Sequence, residues 1–157
     1  MYRVLSFLFV PPLRPAQRQA KTYSGINRRD AIFPNRNIVV NNQPNSTNWY
    51  HLFQELDARM ILFEFKNYSN TEIGPDEVNQ ALNYLTNPMG RFAVLVCSKD
   101  PNHQAHIRRN TIYSNENKVI LFISKEQLKE MLAMKERNED PSDLIMDLLE
   151  LFYIQHE

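Results

Sequence analysis

Residues 61–66 have the sequence Ile-Leu-Phe-Glu-Phe-Lys, a short apolar stretch that carries one acid and one amine. The density of Ile, Leu and Phe predicts a β-strand here. Because side chains alternate faces along a strand, Glu64 and Lys66 share one face, and the two phenylalanines share the other. A charge inside an apolar strand is costly unless it is paired or bound to a metal. The stretch is therefore either an edge strand with a solvated ion pair or part of a functional site.

Three further stretches predict strands, because each is a short apolar run next to turn-forming or polar residues. They span 29–33, 91–97 and 119–123. The last two contain the continuous runs FAVLVC and VILFI, which are typical of strands buried on both faces of a sheet. We expect 21–33 to pair with 59–66 in antiparallel fashion. The segment between them contains turn formers, and 51–58 could form a short helix.

Three helices are predicted from the residues that open them. Pro75-Asp76-Glu77 opens one that closes near Asn87-Pro88, because proline is tolerated in the first turn and acids are favourable at the positive helix end. Ser124 and Gln127 form a capping box that opens a second helix, and Asp140-Pro141 opens a third. This order of elements indicates an α/β domain with a mixed β-sheet flanked by helices, two of them C-terminal.

The composition indicates a single domain over residues 1–157, with 43% hydrophobic and 23% charged residues. The lone cysteine, Cys97, excludes an intrachain disulfide and suits a reducing cytoplasm. The three glycines never cluster, which excludes a Gly-rich phosphate-binding loop. The apolar run 4–10 ends at Pro11-Pro12 and is far shorter than the roughly 20 residues of a spanning helix. We therefore expect a cytoplasmic protein without a membrane partner.

Charge is distributed unevenly along a chain whose net charge is zero. Residues 1–29 contain six basic residues and no acid. Such a segment can supply sequence-independent contacts to nucleic-acid phosphates, or it can be a solvated run of charges, and both interpretations remain open. A second basic cluster lies at 99–109. The candidate DNA-binding residues of the two clusters are Arg28, Arg29, Arg108 and Arg109.

The first acid of the chain, Asp30, lies at the start of a predicted strand, and Glu64 lies inside another. Two carboxylates on neighbouring strands can hold a hard cation, typically Mg²⁺, through oxygen. Such a cation binds phosphate oxygens and lowers the pKa of a bound water, so that the water can attack phosphorus. Lys66 would orient or deprotonate that water, or neutralise the charge of the transition state. These residue types fit phosphodiester hydrolysis.

Asp30, followed after a long loop by Glu64-Phe65-Lys66, resembles the active-site motif of the PD-(D/E)xK superfamily of metal-dependent nucleases. Downstream, Gln80 and Tyr84 lie one helical turn apart and resemble the Gln-x-x-x-Tyr helix motif of that superfamily's exonuclease branch. The resemblance covers a catalytic core of roughly residues 20–125. The basic segment 1–29 overlaps the start of this core, and helices over 125–157 follow it.

The resemblance implies a restriction-endonuclease-like fold and a nuclease that uses Mg²⁺ or Mn²⁺ to cleave DNA, in restriction, repair or phage defence. Its implied metal ligands are Asp30, Glu64 and the backbone carbonyl of Phe65, and its implied catalytic residues also include Lys66, Gln80 and Tyr84. The chain departs from the family pattern at Arg29, where the family has proline. It also lacks the acid that many members carry before the first motif residue.

Two other interpretations remain open. The chain could be a catalytically idle nuclease-fold module that binds nucleic acid or a protein, and the acidic segment 125–157 would suit a protein contact. It could also be an unrelated α/β domain in which the Glu-Phe-Lys triplet occurs by chance. A homodimer or a larger assembly is a further possibility, because the last predicted helix has a second apolar ridge at Leu144 and Leu151.

Overall fold

The computed structural model describes residues 1–21, 28–36, 39–40, 43–44, 46–67 and 72–156. Six α-helices in this part of the chain are α1 (Tyr2–Phe9), α2 (Thr47–Leu56), α3 (Pro75–Tyr84), α4 (His103–Glu116), α5 (Lys125–Glu136) and α6 (Ser142–Ile154). The strands are β1 (Gln17–Lys21), β2 (Arg28–Pro34), β3 (Val39–Val40), β4 (Gln43–Pro44), β5 (Met60–Lys66), β6 (Phe92–Cys97) and β7 (Val119–Ser124). One 3₁₀ turn spans Asn87–Met89.

Five strands form one mixed sheet in the order β1-β2-β5-β6-β7. The pairings β1–β2 and β2–β5 are antiparallel, and β5–β6 and β6–β7 are parallel. Because the last three strands run the same way, their carboxyl ends meet at one edge of the sheet. Lys66, Cys97 and Ser124 lie side by side at this edge in the observed register.

The sheet separates two apolar layers. Phe63 of β5 packs into the layer that contains Phe9, Trp49 and Phe152. Its neighbour Leu62 packs into the opposite layer, with residues of α3 and α4. All six residues of β6 are buried, because both faces of this central strand are covered by helices.

The four strands predicted from apolar runs are confirmed, with ends that differ by one residue at most. The antiparallel pairing of the first two is also confirmed, although the paired strand begins at Arg28 and a separate strand ends at Lys21. Residues 22–27 lie outside the described part. The three predicted helices are present. The capping box of α5 forms as expected, since the Ser124 hydroxyl accepts from the Gln127 backbone N–H at 3.2 Å.

Three helices, α1, α2 and α4, were not predicted with these bounds. The helix α2 begins at Thr47, earlier than the alternative helix over 51–58, because Trp49 is a core residue that is only 1% exposed. The helix α4 was not predicted, because its sequence is mostly polar and only Ala105 and Ile112 are fully buried. Its start has a local signal nonetheless, since the Asn102 side chain accepts from the Ala105 N–H at 3.0 Å.

In the described part of the chain, no helix has both the length and the apolar character needed to cross a membrane.

Gly90 follows the 3₁₀ turn, and its backbone passes very close to the residues that end α2. Its φ is +90°, and a Cβ added at this position would lie 2.0 Å from the Asp57 carbonyl oxygen. Replacing Gly90 with alanine should therefore lower the free energy of unfolding by about 3 kcal/mol, because both the strained backbone and the clash must be relieved. Urea unfolding followed by circular dichroism measures this change.

Gly74→Ala is the matched control, because a Cβ at Gly74 would meet its nearest neighbours at an ordinary 3.6 Å. Gly74 is the N-cap of α3, so this replacement should cost less than about 1 kcal/mol. Equal losses in the two variants would contradict the prediction.

Candidate active site

Asp30 and Glu64 lie opposite each other where the antiparallel ladder between β2 and β5 ends. The paired residues Ala31 and Phe63 are the last of the ladder, and the next step along each strand reaches the two acids. The Asp30 backbone N–H donates to Oε1 of Glu64 at 3.1 Å. The Phe65 backbone N–H donates to Oδ2 of Asp30 at 2.9 Å. Each carboxylate thus accepts a hydrogen bond from the backbone of the other strand, which fixes both side chains in one place.

Glu64 is buried among these neighbours, with only 2% of its surface exposed. Burial and, second, the negative charge of Asp30 raise the pKa of Glu64 to about 7. The hydrogen bond from the Asp30 backbone and the charge of Lys66 oppose this rise. Two acids are therefore held together at the cost of keeping one of them partly protonated near neutral pH.

Lys66 belongs to the same face of β5 as Glu64 and is 7% exposed. Its ammonium donates to the side-chain oxygen of Gln80 on α3. The Gln80 amide N–H in turn donates to the Tyr84 hydroxyl at 2.8 Å, across one turn of the helix. The three side chains form a continuous hydrogen-bonded series from the strand to the helix, and the Lys66 charge is close enough to Glu64 to lower the pKa of that carboxyl.

Arg29 connects β2 to the C-terminal end of α3. Its guanidinium donates to the Tyr84 backbone oxygen at 3.4 Å and lies 5.7 Å from the centre of the Tyr84 ring. Its Nε atom is buried and has no hydrogen-bond partner among the described residues. Arg29 therefore lies against Tyr84 in space, and it precedes Asp30 in the sequence.

The other basic candidates lie elsewhere. Arg108 of α4 donates to the Asn79 side chain of α3 at 2.6 Å, a contact between helices that no sequence pattern indicated. Arg109 lies instead over the rings of Phe122 and Phe152. The side chain of Arg28 lies outside the described part of the structure. The prediction that these arginines contact DNA stays a prediction.

The residues that could hold a cation are the two carboxylates and the backbone carbonyl of Phe65. No cluster of three or more His, Cys, Asp or Glu side chains with metal-binding geometry occurs among the described residues. The donor set is nevertheless of the hard-oxygen type that Mg²⁺ and Mn²⁺ prefer. A cation here would also favour the ionised form of Glu64, which burial and Asp30 disfavour. The residues present therefore fit a divalent cation.

Comparison with known proteins gives one distant resemblance. No family model matches the chain, and no solved structure matches it. A protein of Escherichia coli (strain K12), described as "Putative transposon gamma-delta 80.3 kDa protein", is 25% identical over 115 residues. The match covers 70% of this chain and 16% of that protein. The chain therefore spans about a sixth of the length of the curated relative it matches.

The raised pKa of Glu64 predicts a pH-dependent stability in metal-free buffer. The pKa of Glu64 is about 7 in the folded protein and 4.5 in the unfolded chain. Protonation of Glu64 therefore stabilises the fold, fully below pH 4.5, and this contribution is lost as the pH rises through 7. Glu64→Gln removes the ionisation. The free energy of unfolding of Glu64→Gln minus that of the unsubstituted protein should therefore rise between pH 5 and pH 8, by up to about 3 kcal/mol. Urea unfolding with EDTA at several pH values measures this.

Asp76→Asn is the control for that experiment, because Asp76 is an exposed carboxylate at the start of α3. Its difference from the native protein should stay nearly constant over the same pH range. A constant difference for Glu64→Gln as well would contradict the prediction.

Proposed function

We propose that this chain is a metal-dependent nuclease domain of the PD-(D/E)xK type that hydrolyses DNA phosphodiester bonds. The observation that carries the proposal is the pair of hydrogen bonds that holds Asp30 and Glu64 together across β2 and β5, with Lys66 on the same face of β5 bonded to Gln80 of α3. Asp30 and Glu64 lie 34 positions apart in the sequence, and their proximity supports the roles that the resemblance implies. If the Glu-Phe-Lys triplet occurred by chance, its proximity to Asp30 would be unexplained.

The two acids have the role of metal ligands in this proposal. Asp30, Glu64 and the Phe65 carbonyl would hold Mg²⁺ or Mn²⁺. When bound, the cation supplies Lewis-acid stabilisation of the phosphate oxygens and acidifies a water molecule. The hydrogen bonds to the two carboxylates from the opposite strand keep them in place before any cation arrives, so little rearrangement is needed on binding.

Lys66 has the role of orienting the attacking water and offsetting negative charge. Hydrolysis forms a new bond from water oxygen to phosphorus and breaks the bond from phosphorus to the leaving deoxyribose oxygen, so negative charge builds up on the phosphate oxygens. An ammonium fixed beside the two acids can stabilise that charge and can donate a hydrogen bond to phosphate. Gln80 and Tyr84 keep the ammonium at this position, because each accepts a hydrogen bond in the chain that begins at Lys66.

Arg29 is the basic residue best placed to contact the substrate backbone. It lies next to Asp30 in sequence and against Tyr84 in space, and its buried Nε lacks a hydrogen-bond partner in the described part of the protein. A phosphate oxygen would supply one. The relative's description as a transposon protein is compatible with DNA as the substrate and does not identify the reaction.

Cleavage of supercoiled plasmid and linear DNA tests this function. With Mg²⁺ or Mn²⁺ we expect nicking or degradation that EDTA abolishes. Asp30→Asn and Lys66→Ala should each reduce the rate by about 100-fold or more, because each removes a group that acts on the charge of the transition state. Gel electrophoresis of the products measures the rate, and the product lengths distinguish cleavage inside a strand from cleavage at its ends.

Two surface variants serve as matched controls. Glu150→Gln and Lys129→Ala remove an exposed carboxylate on α6 and an exposed ammonium on α5, two helices that carry none of the proposed site residues, and should cleave at the native rate. Folded native protein that shows no cleavage with either metal would refute the proposal and favour the idle DNA- or protein-binding module. Cleavage that survives in Asp30→Asn would refute the assigned site.

The hydrogen bonds that link Lys66, Gln80 and Tyr84 lead to a separate prediction about the position of the ammonium. Gln80→Ala removes the acceptor of the Lys66 ammonium and should lower kcat by about tenfold, with little change in KM for DNA. Tyr84→Phe removes only the end of the chain and should have a smaller effect. Asn83→Ala, on the exposed side of α3, is the control and should match the native protein. A rise in KM with kcat unchanged would show that Gln80 binds substrate instead of holding Lys66.

A further inference from the structure

A second pocket lies between α4 and α6, over the carboxyl ends of β6 and β7. Its volume is about 290 Å³, and it is separate from the convergence of Asp30, Glu64 and Lys66 on β5. Since β7 is the last strand of the sheet, this pocket lies at the opposite side of β6 from the proposed active site. Its wall includes Asp100, His106, Arg109 and Gln127, together with apolar side chains.

Arg109 is a partly buried cation without a counter-charge. Its guanidinium carbon lies 4.7 Å from the centre of the Phe122 ring and 5.0 Å from that of Phe152. Its Nε atom is buried without a hydrogen-bond partner, and no ion pair reaches it from the described residues. Burial lowers the pKa of Arg109 to about 10, which leaves the group charged at neutral pH.

The aromatic rings account for only part of this arrangement. Cation–π contacts offset the cost of burying the guanidinium charge from above and below its plane. The N–H groups of the guanidinium lie in the plane and need acceptors there. A buried donor that lacks an acceptor is costly. The pocket in front of Arg109 is large enough for an acceptor to enter from solution.

Gln127 lines the same pocket and can donate hydrogen bonds. His106 lines it too, but its ring already hydrogen-bonds the Pro101 backbone, while burial and the charge of Arg109 lower its pKa. The side-chain oxygen of Gln127 accepts from the Ser124 backbone N–H at 2.8 Å, which leaves its NH₂ group to face other partners. The polar part of the wall therefore favours an acceptor with negative charge.

The remaining wall limits the ligand to one charge and an apolar body. Asp100 also lines the pocket, so a doubly charged phosphate would meet one cation and one repelling acid. Phe122, Leu148 and Leu151 supply apolar surface, and Leu151 is 47% exposed at the surface of α6. We infer that this pocket binds a small monocarboxylic acid with a short apolar stem, whose carboxylate pairs with Arg109 and whose stem packs on Phe122, Leu148 and Leu151.

Isothermal titration calorimetry with N-acetyl-leucine tests this inference in buffer with EDTA, where the proposed nuclease activity has no influence. We expect saturable binding at one site. N-acetyl-leucinamide has the same stem without the charge and should bind at least about tenfold more weakly. Inorganic phosphate should also bind more weakly than the acid. Equal binding of acid and amide, or tighter binding of phosphate, would overturn the assignment.

Two variants locate the binding. Arg109→Gln should weaken binding of N-acetyl-leucine by about tenfold or more, because the charged hydrogen bonds are lost. Leu151→Asp should weaken it as well, since it places a negative charge beside the stem at an exposed position that the fold tolerates. Arg108→Gln, the neighbouring arginine bonded to Asn79, is the control and should bind like the native protein. Native binding in Arg109→Gln and Leu151→Asp, or no binding by the native protein, would refute the site.

Discussion

The constraint on which the proposed site depends is the meeting of Asp30 and Glu64 at the end of the β2–β5 ladder. Backbone N–H groups that would otherwise continue the ladder of sheet hydrogen bonds donate to the two carboxylates instead. This exchange holds the acids rigidly, and it also forces two like charges into a buried place, which raises the pKa of Glu64. The arrangement is unfavourable for stability and favourable for a cation, as expected where function, and not packing, determines the residue type.

The parallel half of the sheet then determines what lies beside this pair. Parallel strands place Lys66, Cys97 and Ser124 along one edge, and the crossover helix α3 returns over the face that carries Lys66. Gln80 therefore meets Lys66 without a long loop. The next crossover, α4, packs on α3 and directs Arg108 toward it, while Arg109 lies between the aromatic rings of β7 and α6.

The elements with strong local signals could be predicted, and those that depend on distant contacts could not. Continuous apolar runs predicted β6 and β7 because both faces of these strands are buried. The capping residues around Ser124 predicted the start of α5. The helix α4 has no comparable apolar stripe, and its position is determined by α3 and β7. Arg108 and Arg109 are adjacent in sequence and similar in chemistry, so only the packing of α4 distinguishes their surroundings.

The sequence by itself determined that Glu64 and Lys66 share a strand face, that Gln80 and Tyr84 share a helix face, and that Asp30 begins another strand. Period-two and period-four spacing are local properties of the backbone, and they need no knowledge of the rest of the fold. The tertiary structure alone decided that the strand of Asp30, the strand face of Glu64 and Lys66, and the helix face of Gln80 and Tyr84 meet. The register of β2 against β5 and the packing of α3 across the sheet bring together residues up to 55 positions apart, and such register follows from burial of the whole core. The same packing decided that Arg109 lines a pocket with its buried Nε unpaired among the described residues, since neither Phe122 nor Phe152 is adjacent to it in the sequence.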